Sequence, residues 1–85
     1  MSFQHAPPKS PVIIQTSADL GKLVRTLRRE QGLLQLDLAG LCNTGIRLVG
    51  DLERGKPTLQ LQKVLNMLDL LGLEVQVVPK RPRLS

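Results

Sequence analysis

Apolar residues recur along this chain at helical spacing in four stretches, and then at strand spacing in a fifth. Leu20, Leu23, Val24 and Leu27 fall at i, i+3, i+4 and i+7 and form one stripe. Thr16 or Ser17 can cap that helix, Asp19 in its first turn suits the helix dipole, and Gly32 is placed to end it. Lys22, Arg25 and Arg29 fall off the stripe and are expected in solvent. A second, short helix is predicted over Gln35 to Cys42 from Leu38, Ala39, Leu41 and Cys42. The small Ala39 and Gly40 suggest close approach of another helix. Asn43 tolerates the left-handed backbone conformation that stops many helices. Thr44 can then cap a third helix reaching about Arg54, with Ile46, Val49 and Leu52 three apart and Leu48 and Leu52 four apart. Gly55 ends it. After Lys56 and Pro57, Thr58 is expected to cap a fourth helix whose inward face is Leu61, Val64, Leu65, Leu68 and Leu71, with Gly72 as its stop.

Beyond Gly72 the period changes from 3.6 to 2, since Leu73, Val75 and Val77 alternate with Glu74 and Gln76. This predicts a half-buried strand over residues 73–78. A lone strand leaves its backbone donors and acceptors unpaired, so it needs the Val12 to Ile14 segment, a symmetry-related copy, or both. Leu73, Val75 and Val77 are therefore candidate dimerisation residues and the chain a candidate homodimer. Residues 1–11 hold three prolines and no periodicity, which predicts a flexible arm; residues 79–85, PKRPRLS, read as a basic flexible tail. One domain is left, over residues 12–78.

Composition narrows the class of partner. Eighty-five residues allow one small core, and with Phe3 as the single aromatic residue that core must be aliphatic. Twelve Lys and Arg against seven Asp and Glu give a formal charge of +5, which favours a polyanionic partner. Single-strand and RNA-binding modules stack bases on aromatic platforms that this sequence lacks, so duplex nucleic acid is the better fit. Cys42 has no second cysteine to pair with, and with His5 the sole histidine there is no Cys/His cluster for a structural metal. His5 falls in the arm, Cys42 takes an apolar helix position, and no glycine-rich phosphate loop occurs. No catalytic residue, cofactor or metal is expected, and the chain does not read as an enzyme. Asp69 and Glu74 interrupt the most apolar stretch, and the N-terminus lacks a signal-peptide core, so no membrane association and a cytoplasmic location are expected.

Two short helices joined by a tight turn, between longer flanking helices in a basic chain, are what a helix-turn-helix requires. The stretch GLLQLDLAGLCNTGIRLVGDLERGK, Gly32 to Lys56, resembles the Cro/C1-type (Xre-like) helix-turn-helix family without a gap. Gly32, Leu33, Gln35, Leu38, Ala39, Val49, Leu52, Glu53, Gly55 and Lys56 carry the match, and Leu61 to Leu73 is similar to the family's closing helix. The resemblance implies a mainly α, four- to five-helix lambda-repressor-like domain that binds double-stranded operator DNA. A domain of this type followed at once by a short strand, and the opening Met1-Ser2-Phe3-Gln4, are similar to HipB-type antitoxins. That narrower resemblance implies C-terminal strands paired across a dimer axis, repression of the chain's own toxin–antitoxin operon, and binding of a HipA-like serine/threonine kinase toxin, with or without a third subunit. The alternatives are a protein–protein module of a kinase toxin complex with secondary DNA binding, and a standalone phage-type repressor without a toxin.

Leu34 stands where the family has a capping Ser or Thr, which removes a side-chain cap worth about 1 kcal/mol. Asn43 and Thr44 replace the family's Gly and aliphatic residue in the turn. Gly45 and Gly50 lie on the side expected to face DNA, admitting close backbone approach while removing base contacts. Arg47, near the start of the third helix and away from Val49 and Leu52, is the first candidate for reading guanine. The family match implies that Ile46 contacts DNA, through a thymine methyl, or else joins the core; that Gln35 grips a backbone phosphate; and that Arg28 and Glu53 form a structural ion pair. Arg54 and Lys56 are candidate phosphate contacts that also suit the helix C-terminus. Asp51 either reads a cytosine amine or is an exposed helix charge, the second being favoured.

Overall fold

The computed structural model describes residues 11–80. Of the expected arm over residues 1–11 and tail over 79–85, only Pro11, Pro79 and Lys80 fall within this range; the rest lies outside the described residues. Four helices follow in order: α1 (Ser17–Glu30), α2 (Gln35–Leu41), α3 (Ile46–Glu53) and α4 (Leu61–Leu70). α3 packs on both α1 and α2. Val24, Leu38, Ala39, Val49, Leu52, Val64, Met67, Leu68 and Leu71 close the aliphatic core, with Leu20, Leu33, Leu48, Leu59 and Leu73 packed around it. The described residues thus form the helix-turn-helix domain expected, with four helices.

Each helix ends in the same way. Gly32, Asn43, Gly55 and Gly72 take positive φ angles of 72°, 54°, 83° and 86°. The following N–H then reaches back five residues, from Leu33 to Arg28, Thr44 to Ala39, Lys56 to Asp51 and Leu73 to Leu68, at 2.9–3.0 Å. This is the Schellman arrangement, which satisfies carbonyls that the helix itself leaves orphaned. All four stops coincide with residues whose types marked them in the sequence.

The helix starts are less uniform. Thr16 caps α1, its hydroxyl accepting from the Asp19 N–H at 3.1 Å while the Asp19 carboxylate accepts from the N–H groups of Gln15 and Thr16. Leu34 offers α2 no side-chain cap, but the Asp37 carboxylate accepts from the Leu34 N–H at 2.8 Å, so half of a capping box remains. Thr44 does not cap α3. Its N–H is committed to ending α2, and Gly45 takes the N-cap position instead. Nor does Thr58 cap α4, which starts from Gln60 because Leu59 turns into the core first. The inward face of α4 is correspondingly Val64, Met67, Leu68 and Leu71, with Leu65 half-buried; Leu61, in the exposed first turn, is 69% accessible.

Close approach occurs where no small-residue pair announced it. A Cβ on Gly40 would meet nothing within 4 Å, whereas one on Gly21 would overlap the Leu52 carbonyl oxygen and lie 2.9 Å from that of Glu53. α1 and α3 therefore cross backbone to backbone at Gly21. The Ser17 hydroxyl donates to the Gly55 carbonyl at 2.8 Å and ties the start of α1 to the end of α3. At the other end of the domain the Gln31 amide donates to the Leu71 carbonyl at 3.0 Å.

The strand expected over residues 73–78 does not form within the chain: no strand occurs among the described residues, and Val12 to Ile14 do not pair with this segment. The Val12 to Ile14 segment lies instead beside Lys22, Leu23 and Thr26 of α1. Leu73 is half-buried against the core, while Val75, Val77 and Val78 are exposed. A ladder needs a second row of backbone groups, and the described residues of one copy supply none.

Candidate nucleic-acid interface

α3 presents two contrasting faces. Val49 and Leu52 are buried and Leu48 is half-buried, which fixes the inward side. Arg47 lies on the opposite side, exposed to solvent, and Ile46 is 49% exposed at the helix start. Ile46 is therefore a surface residue and not a core one. Gly45 is exposed with open space around its Cα. Gly50 is buried because the Arg54 guanidinium lies over it: a Cβ there would stand 3.1 Å from Nη1.

A buried ion pair sets the angle of this helix. Arg28 donates from Nε to Glu53 Oε2 at 2.6 Å and from Nη2 to Oε1 at 3.0 Å, and its Nη1 donates to the Leu33 carbonyl at 2.6 Å. The two side chains are only 7% and 4% exposed. The Gln35 amide completes the cluster, donating to Glu53 Oε1 at 3.0 Å. One carboxylate thereby links the C-terminal turn of α1, the first residue of α2 and the last of α3. Gln35, expected to hold a phosphate, spends an amide hydrogen on this network, so its remaining N–H and the α2 N-terminus are what it can offer an anion.

Burial pushes the Glu53 carboxyl upward, but the hydrogen bonds from Arg28 and Gln35 and the charges of Arg28 and Arg25 outweigh it, leaving the group below its ordinary value. Hydrogen bonding to Glu53 raises Arg28 in turn. A carboxyl lowered on folding stabilises the fold above its unfolded pKa, and the contribution is lost as pH falls through the lower, folded value. Unfolding midpoints measured by far-ultraviolet circular dichroism are therefore expected to hold steady down to about pH 4.3, the ordinary glutamate value, and to fall below it. The Glu53→Gln variant should show a weaker dependence across that window.

Beside α3 runs an open groove bounded by the end of α1, the start of α2 and the outward residues Ile46, Gly50 and Arg54. Arg25 and Arg29 line it together with Arg28 and Arg54. Sequence reading placed Arg25 and Arg29 only as solvated residues; their spacing of four on the off-stripe face was the signal that they share one side. Asp51 is not a free acid: Oδ1 accepts from Arg54 Nη2 at 2.6 Å and Oδ2 lies 3.6 Å from Lys56 Nζ. Arg54 and Lys56, expected as phosphate contacts, thus share one carboxylate. Cys42 is half-buried and its thiol is pushed up by burial, as suits a packing residue. Among the described residues no group of acidic, His or Cys side chains could hold a metal ion, and no helix is long and apolar enough to cross a membrane.

A helix held by a buried ion pair, one face in the core and Arg47 outward, beside a second short helix, has the arrangement of a helix-turn-helix. Residues 19–80 match the family model described as Helix-turn-helix domain. An uncharacterized HTH-type transcriptional regulator, y4mF of Sinorhizobium fredii (strain NBRC 101917 / NGR234), is 49% identical over 65 residues, covering 76% of this chain and 86% of that protein. The chain belongs to this helix-turn-helix family of DNA-binding transcriptional regulators. Among solved structures it is similar in fold to a chain of a HipA-HipB-O2-O3 complex, with a TM-score of 0.75 and 17% identity over 82% of this chain and 99% of that one. A HipB-O4 20mer complex contains a chain equally similar, with TM-score 0.75, 17% identity and the same coverage.

Proposed function

We propose that the chain is a homodimeric repressor that sets two copies of α3 into successive major grooves of an operator, half-sites about 34 Å apart. The observation that carries this reading is the exposed Arg47 on the outward side of α3, beside a groove lined by Arg25, Arg29 and Arg54, while Val49, Leu52 and Glu53 anchor the other side. Arg47 reads a guanine edge, Ile46 packs on a thymine methyl, Gly45 lets backbone approach the DNA, and Gln35, Arg54 and Lys56 contact phosphates. Val75 and Val77, exposed beyond α4 and unpaired among the described residues, support a strand shared with a second copy. The likeness in fold to chains of HipA–HipB and HipB complexes favours an antitoxin role: repression of its own operon and binding of a HipA-like kinase toxin.

Binding to the DNA upstream of the chain's own gene, followed by electrophoretic retardation over a salt series, tests the reading. Affinity is expected to fall steeply with salt, and Arg47→Ala is expected to cost about 1–3 kcal/mol on a guanine-bearing site. Retardation that ignores both salt and Arg47 would remove the assignment. Ending the chain after Leu73, which keeps that residue's core packing, is expected to convert the dimer mass to a monomer mass and to weaken operator binding. An unchanged mass would show that dimerisation lies elsewhere. A kinase gene beside this one, and co-purification of its product with the chain, would mark the antitoxin role.

A further inference from the structure

Asp51 stands on the outward side of α3, where an acid would ordinarily repel a phosphate backbone. Its carboxylate is nevertheless only 16% exposed, because two cations cover it: Arg54 bonds one oxygen at 2.6 Å and Lys56 approaches the other at 3.6 Å. Arg54 itself is 70% exposed, so the pairing leaves most of its guanidinium open. A guanidinium has five N–H donors, and this contact uses one nitrogen of the three. Gly50 completes the arrangement. With no Cβ beneath it, the guanidinium lies over position 50, a seat that a side chain there would press upon at 3.1 Å. Arg54 so placed lines the groove that Arg25 and Arg29 border from α1, whereas Arg47 does not.

Resting on the DNA-binding reading above, we infer that Asp51 is a positioning residue: it touches no DNA and holds Arg54 over Gly50, aimed at one backbone phosphate beside the groove. An unheld arginine must lose rotamer freedom on binding, and one already fixed loses less. The acid thus aids binding of a polyanion, an effect opposite in sign to its charge.

The sign gives the test. The full-length chain, its Arg54→Ala, Asp51→Ala and Asp51→Asn variants are titrated with one duplex chosen by the wild-type protein from a random library, at several salt concentrations. Circular dichroism melts confirm that each variant is folded, as expected for an i,i+3 pair outside the core. Asp51→Ala is expected to weaken binding several-fold and to flatten the slope of log K against log salt by about 0.9, the value for one lost phosphate contact. Asp51→Asn, whose amide oxygen can still accept from Arg54, should recover much of the affinity. A neutral methylphosphonate at the phosphate that Arg54→Ala identifies should weaken the wild type and leave Asp51→Ala unaffected. Tighter binding by Asp51→Ala would overturn the inference and leave the acid a plain repulsive charge. Weaker binding with an unchanged slope and relaxed preference at one base pair would also overturn it, making Asp51 a direct reader. Either result leaves the DNA-binding reading standing, since that depends on wild-type binding and on Arg47.

Discussion

Arg28→Ala is expected to lower the unfolding free energy by about 3–5 kcal/mol, the cost of breaking a buried pair from one side. The remaining Glu53 side chain is 4% exposed and would keep the Gln35 hydrogen bond and the more distant charge of Arg25, without the two hydrogen bonds of the guanidinium. The Leu33 carbonyl would lose its guanidinium donor as well. Against a total stability of about 5–15 kcal/mol, this brings the domain near its threshold. Urea unfolding followed at 222 nm measures the change. Replacing both partners together, Arg28→Met with Glu53→Leu, should cost much less than Arg28→Ala, because no charge is then stranded. A loss below about 1 kcal/mol for Arg28→Ala would mean that water reaches Glu53, and the pair would no longer explain how α3 is held.

Gly21→Ala is the second large effect. The added methyl has nowhere to go, since its nearest neighbours are the backbone carbonyls of Leu52 and Glu53 and cannot rotate away as a side chain could. α3 must move outward from α1 or the chain fails to fold. Glycine-to-alanine changes within helices ordinarily gain about 0.5–1 kcal/mol, so the expected sign is reversed here by the crossing. A loss of several kcal/mol is expected, of the size that overpacking produces at its upper end. Gly40→Ala is the matched control: it is also helical, nothing lies within 4 Å of its Cβ, and the ordinary gain should appear. Equal effects at the two glycines would remove the close crossing from the account of the fold.

These two positions show what was and was not legible in the sequence. Helix stops were legible because they rest on local chemistry: Gly32, Gly55 and Gly72 accept a left-handed backbone without penalty and Asn43 tolerates it. Helix starts at Thr44 and Thr58 were misread because a capping residue is available only if its neighbours leave it free, and tertiary packing of Leu59 and the end of α2 claimed those segments first. Gly21 gave no local signal, since a glycine inside an apolar stripe shows its purpose only when another helix lies on it. Among the site residues, Arg47 was placed by helical periodicity alone, and the outward face it marked is exposed. The Asp51 pairing was invisible for a different reason: whether an acid three residues before an arginine grips it depends on the space Gly50 leaves.

The division of α3 into a committed and an uncommitted side has an evolutionary consequence. Val49, Leu52 and Glu53 are tied to the core and to Arg28, so changing them risks the whole domain. Among the described residues the side chains of Ile46 and Arg47 make no hydrogen bond or ion pair, and the Asp51 and Arg54 pair involves Lys56 beside it. The outward residues therefore form an exchangeable cassette. On the operator-reading role proposed above, a descendant of this chain would acquire a new target by replacing a few of them while keeping its fold, and two paralogues would diverge in target before they diverge in shape.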